Sequence, residues 1–263
     1  MMIAEDISFY NNLNQRLAGR MYRTGTGGAA GVIYSHGLFS NKDGYKITKL
    51  AYDITATGHA LMSFDFSCAG ESGGTISDIS LLQEVEDLAA AVSFFRGRGM
   101  NKIHLMGSSM GAAATLLYAS QGDPSVASLI LIATPVDLRM LLKYGFGIDD
   151  AGSLPERGMS VIDGVLINNS FFRELYRIDM QDAVKKIRVP VLAIHGSMDA
   201  AVDISNVSLL EKNLSPRLAK MIIPDGDHNL TRDSDIALMK DAIRLWLAGG
   251  RPAIGGRNTA GRP

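Results

Sequence analysis

Cysteine is almost absent: Cys68 is the only one in 263 residues. A lone cysteine excludes an internal disulfide and a multi-cysteine zinc site. Such scarcity suits a reducing compartment, so a cytoplasmic protein is expected. An excess of one charge is lacking too. Lysine plus arginine number 26 against 27 aspartate plus glutamate, a formal net charge of −1. No strong field is available to draw in nucleic acid or an anionic membrane, and neither partner is expected. No apolar run approaches the ~18 residues of a membrane span. The polar start MMIAEDISFYNNLNQRLAGRMYR has no basic patch followed by an apolar signal core. Membrane insertion is therefore not expected. No sequence feature fixes an oligomeric interface.

What is present is core material. Hydrophobic residues make up 46% and charged residues 20%, which suits a large folded domain and excludes a disordered chain. Short apolar runs at 31–35, 60–65, 103–106, 129–133, 191–194 and 221–223 read as buried strands. Residues 6–14 and 18–24 read as entry strands or irregular leads. Between the runs, 43–57, 78–98, 110–120 and 232–248 carry helical spacing, with Leu81, Leu82, Val85, Leu88, Ala89, Val92 and Phe95 forming one stripe. Continuous apolar strands alternating with helices predict an α/β fold, a mainly parallel sheet covered on both faces.

Residues 137–186 interrupt this alternation. Within them 160–167 predicts a hairpin about Asp163-Gly164, and 169–177 and 179–186 predict short helices. The segment is expected to be a cap or lid inserted into a core of 1–136 and 187–248. The tail, 249–263, has no apolar periodicity and is expected to be flexible.

The sharpest chemical signal is Gly107-Ser108-Ser109-Met110-Gly111, after a strand and before a small-residue helix. It fits G-x-S-x-G with Ser109 at the centre. A tight strand-to-helix turn would push that serine out of the backbone, and the helix N-terminus would favour negative charge beside it. Ser108 lies one residue off the centre and should point elsewhere.

On these residues the chain resembles the α/β-hydrolases. The resemblance is to small esterases of the serine-aminopeptidase-like group, including feruloyl and cinnamoyl esterases. It implies an acid and then a histidine on loops after later strands. Val191-Leu192-Ala193-Ile194-His195-Gly196-Ser197-Met198-Asp199 resembles the acid strand and loop, and Ile222-Ile223-Pro224-Asp225-Gly226-Asp227-His228 the histidine loop. The implied triad is Ser109, Asp199 and His228, with Asp203 and Asp227 as alternative acids. His59, His104 and His195 fit turn, sheet and bracing positions better than a base. His36-Gly37-Leu38 resembles the oxyanion loop, which implies the amides of Leu38 and Met110 as oxyanion donors, with His36 fixing the loop. Asp65 and the 67–74 loop resemble a supporting segment, and Cys68 reads as a small packing group.

The resemblance thus implies a serine carboxylesterase acting through an acyl-enzyme on a small ester, with no cofactor and no metal. Thioester and amide or aminopeptide hydrolysis share the first steps and stay open, as does a non-catalytic binding protein of the same fold. Phe39, Leu141, Tyr144, Phe146, Phe171 and Phe172 are the candidate pocket residues, Leu142 lying beside them.

Overall fold

The computed structural model describes residues 1–25 and 28–252. Eight strands make the central sheet: β1 (Met2–Tyr10), β2 (Arg16–Thr24), β3 (Ala30–Ser35), β4 (Ala60–Phe64), β5 (Lys102–Ser108), β6 (Val126–Ile132), β9 (Val191–Gly196) and β10 (Leu218–Ile223). A two-stranded ribbon, β7 (Met159–Ile162) and β8 (Val165–Asn168), stands apart. The order in the main sheet is β1-β2-β4-β3-β5-β6-β9-β10. The first two strands pair antiparallel, β2 pairs antiparallel with β4, and every later pairing is parallel.

The apolar runs are continuous because each strand feeds two cores. On β6, Leu129 and Leu131 join one cluster and Ile130 and Ile132 the other. On β9, Val191 and Ala193 face the first cluster, Leu192 and Ile194 the second. Period-two side-chain alternation then needs an apolar residue at every position. Helices α1 (Tyr45–Ala56) and α8 (Asp233–Leu247) pack together over one face. Helices α2 (Leu81–Gly97), α3 (Met110–Ala119), α6 (Met180–Lys186) and α7 (Ser205–Leu214) form a chain of contacts over the other. The outer strand β1 is mostly exposed, which explains its weak apolar signal.

The 137–186 segment contains more local structure than its pattern announces. Asp137 caps a single turn, α4 (Leu138–Met140), which runs into a π turn at Leu141–Gly145. The β7–β8 hairpin turns at Asp163-Gly164, both at positive φ, as a two-residue turn requires. Helix α5 (Asn169–Arg177) follows and anchors the segment to the core. Its Glu174 accepts from the Ser80 hydroxyl at 2.7 Å and the Leu82 amide at 3.2 Å. That places a carboxylate at the N-terminus of α2, where the helix dipole favours it.

Of the expected flexible tail, residues 253–263 lie outside the described residues. Before them, the Gly250 amide donates to the Leu245 carbonyl and Arg251 to the Pro216 carbonyl. Among the described residues no helix is long and apolar enough to cross a membrane.

Candidate active site

Ser109 stands between β5 and α3 at φ +53° and ψ −120°, a conformation few L-residues adopt. The surrounding glycines allow it. A Cβ on Gly111 would run into the carbonyl oxygens of Ser35 and His36, and one on Gly107 would sit 2.5 Å from the Gly111 carbonyl. Glycine at these two positions lets α3 press against β3 and β5, so the turn stays sharp and the serine projects outward.

The His228 ring meets that serine. Nε2 lies 2.9 Å from Ser109 Oγ, and Nδ1 lies 2.8 Å from Asp199 Oδ2. A carboxylate cannot donate, so Nδ1 carries the proton and Nε2 is left to accept from the serine hydroxyl. Asp199 has no exposed side-chain surface. Its Oδ1 accepts from the amides of Ala201 and Val202 at 3.0 and 2.8 Å. Its Oδ2 also faces His195 Nε2 at 3.3 Å, and that nitrogen donates to the Val202 carbonyl at 2.8 Å. Burial alone would raise the Asp199 pKa. The hydrogen bonds from His195 and His228, with the His228 charge, outweigh it and hold the carboxyl well below its usual range.

The alternative acids are engaged elsewhere. Asp203 accepts from the Ser205 amide at the start of α7, and Asp227 accepts from the Leu230 amide. His59 and His104 pack edge to face at 5.2 Å, with His104 Nδ1 against Ser128.

Behind the serine, His36 is buried and braces its loop. Its Nδ1 donates to the Gly37 carbonyl at 2.8 Å, leaving Nε2 to accept from the Phe66 amide at 3.2 Å. Burial pushes its pKa down, the Gly37 bond and Asp65 opposing. Asp65 takes the amides of Lys42 and Glu71, which ties the 67–74 loop to the same support. Cys68 is partly buried, and burial raises its thiol pKa. Leu38, Ser109 and His228 line one cavity of about 210 Å³, together with Ser40, Lys46 and Ser108. Met110 opens α3, so its amide has no acceptor within the helix.

The candidate pocket residues divide. Leu141 and Tyr144 line a cavity of about 430 Å³ against the loop after β9, with Asp137, Asp199 and Asp203. Phe39 lines a groove of about 530 Å³ with Cys68 and Ile76, which shares Ser40 with the serine cavity. Phe171 and Phe172 are 1% and 0% exposed. Their rings pack at 5.3 Å from each other, and Phe146 lies 6.4 and 5.9 Å from them. Phe171 and Phe172 belong to the same core cluster as Leu81, Val85 and Leu129. Their apolar character serves packing.

Sequence reasoning missed Lys46, whose Nζ donates to Ser108 Oγ at 2.9 Å. Its position at the start of α1 was the only available signal. Among the described residues no group of three or more histidine, cysteine or acidic side chains is placed to hold a metal ion.

Comparison with known proteins bears on this geometry. The pattern of the serine aminopeptidase S33 family matches residues 28–149. The mouse mitochondrial palmitoyl-protein thioesterase ABHD10 is 23% identical over 241 residues, covering 89% of this chain and 80% of its own. The ferulic acid complex of Est1E from Butyrivibrio proteoclasticus superposes with a TM-score of 0.83 at 20% identity, covering 92% of this chain and 98% of that one. The esterase domain of a Rhodothermus marinus protein gives a TM-score of 0.73 at 25% identity over 93% of this chain and 97% of that one.

Proposed function

We propose that this chain, which belongs to the α/β-hydrolase superfamily, is a serine-dependent carboxylic-ester hydrolase working through an acyl-enzyme. One observation carries the reading: an unbroken hydrogen-bond chain from Ser109 through His228 to buried Asp199, starting at a strained elbow. A serine hydroxyl is a poor nucleophile until a base takes its proton. His228 Nε2 takes it as Ser109 Oγ attacks the ester carbonyl. Asp199, ionised and buried, stabilises the imidazolium and fixes the tautomer. The carbonyl oxygen becomes an oxyanion, and the amides of Leu38 and Met110 receive it. Each such donor is worth roughly 3 kcal/mol in the transition state. His228 then protonates the departing alkoxide. Water, activated by the same ring, releases the acid and restores Ser109.

The substrate in this reading is a small ester. The serine cavity is small, and the Phe39 groove adjoining it offers room for a short-chain or aryl group. The cap belongs to the reading as a selector through Leu141 and Tyr144. A cytoplasmic location fits the lone, partly buried Cys68. A second reading, thioester hydrolysis, is favoured by the likeness to a palmitoyl-protein thioesterase. Its first steps are the same, and it differs in the leaving group.

Hydrolysis of p-nitrophenyl acetate and butyrate, set against matched thioesters, tests the choice. The ester reading expects turnover that a folded Ser109→Ala variant lacks. Turnover of thioesters alone would move the function to the second reading, and full ester turnover by Ser109→Ala would end the serine mechanism.

A further inference from the structure

Lys46 stands in the cavity of the relay without belonging to it. It is the second residue of α1, and the packing of α1 on β4 carries it to the elbow. Its Nζ donates to Ser108 Oγ, one residue before the nucleophile, and Ser108 is 6% exposed. Tyr34 on β3 lines the same cavity. Lys46, Ser109, His228 and Leu38 share one cavity wall. The carboxylates of Asp199 and Asp227 act on the ammonium through space. Lys46 is half-buried, and it lines the cavity in which negative charge develops during acyl transfer.

We propose that Lys46 is a positioning residue for acyl transfer: its ammonium anchors the Ser108 hydroxyl, and with it the Ser109 elbow, and adds positive charge to the cavity where the oxyanion forms. The assignment rests on the acyl-transfer reading above. It predicts that the rate depends on Lys46 being protonated. Burial lowers the Lys46 pKa to about 8, against the upward pull of Asp199 and Asp227. The charge is therefore present below that pH and lost above it. The other titratable groups facing it are Tyr34 on β3, Tyr45 on α1, Asp199 after β9, and Asp227 and His228 after β10. Burial raises the Tyr34 pKa above its ordinary value, so Tyr34 keeps its proton while Lys46 loses its own.

The test follows two readouts from pH 6 to 10: kcat/KM for p-nitrophenyl acetate, and the rate at which a fluorophosphonate modifies Ser109. Wild type should show a falling limb near pH 8 in both. Lys46→Met should lower the plateau about tenfold and remove the falling limb. Lys46→Arg, whose guanidinium stays charged across this range, should keep most of the plateau and also lose the limb. If Lys46→Met does not fold, Lys46→Arg carries the test alone. Normal wild-type labelling with the falling limb unmoved in Lys46→Arg would overturn the role of Lys46 and leave the acyl-transfer reading standing. A wild-type Ser109 that no fluorophosphonate modifies at any pH would overturn both.

Discussion

The elbow around Ser109 and the inserted segment 137–186 are held together by different means. At the elbow the neighbours are backbone. Gly111 faces the carbonyls of Ser35 and His36, and Gly37 would bring a Cβ to 3.2 Å from the Ser108 carbonyl. In the insertion the neighbours are side chains, with Phe146, Phe171 and Phe172 packed as one aromatic group. Backbone contacts cannot be relieved by a new rotamer, whereas aromatic packing can be rebuilt with other side chains of similar volume. The first region should therefore fix the chemistry and the second should tolerate change in what the site accepts.

The largest effect that could break this contrast is at Ser109. Ser109→Ala should lower kcat for an aryl ester on the order of 10⁴–10⁶-fold with an unchanged melting curve, and adding His228→Ala should cost little more, because the two act as a unit. Additive losses measured by steady-state kinetics would dissolve the unit. In the insertion, Phe172→Ala should cost ~3–5 kcal/mol in denaturant unfolding. The folded fraction should keep its rate of serine labelling. A loss of labelling beyond the loss of fold would give the aromatic group a direct role in the chemistry.

Gly111→Ala sharpens the same comparison from the other side. Overpacking costs ~1–3 kcal/mol where side chains can yield, and here the obstacles are carbonyl oxygens, so at least the upper figure is expected. Unlike Phe172→Ala, it should also displace Ser109 and reduce labelling per folded molecule.

A smaller effect lies where the insertion meets α2. Glu84 is 3% exposed, and among the described residues its Oε2 has no hydrogen-bond partner. Burial, reinforced by Asp87 and Glu174, raises its pKa well above the ordinary value. The folded protein then holds a proton that the unfolded chain releases near its ordinary carboxyl pKa of about 4.3. Glu84 therefore favours the fold most below that pH, and the contribution is lost as pH rises toward the folded value. Glu84→Gln should raise stability at pH 7 and flatten the decline above the unfolded-chain pKa. An unchanged pH–stability curve would contradict this. The smallest expected effect is Tyr144→Ala. Tyr144 is 64% exposed on the cavity beside the acid loop. Its loss should shift the ratio of kcat/KM between short and long acyl esters by a few-fold, roughly 1 kcal/mol, with stability unchanged.

The same contrast governs what could be read from the sequence. The sheet was legible because strands buried on both faces must be apolar at successive positions, as on β6 and β9. The elbow was legible because close backbone approach demands glycine and leaves the G-x-S-x-G mark. The choice of Asp199 over Asp203 and Asp227 came from the resemblance and not from local pattern. It depends on which carboxylate the turn after β9 points inward, and on backbone amides engaging the other two. The insertion announced its hairpin through Asp163-Gly164, but no pattern separates an aromatic that packs into the core from one that lines a pocket. Phe171 and Phe172 fitted both roles in the sequence for that reason. Lys46 was invisible because its contact with Ser108 spans 62 residues of sequence. Helix α7 could not be bounded because its buried residues are few and include Asn206, whose side chain accepts from the amides of Val136 and Asp137.

In the proposed mechanism Ser109 Oγ takes the acyl group. Rapid mixing with p-nitrophenyl acetate, acid quenching and mass mapping of the peptides tests it directly. The account predicts one acetyl group, 1:1 with the enzyme, on the peptide holding Gly107-Ser108-Ser109-Met110-Gly111. The adduct should sit on Ser109 and be absent from a folded Ser109→Ala variant. Acetyl found on another residue at the turnover rate, or undiminished in Ser109→Ala, would contradict it.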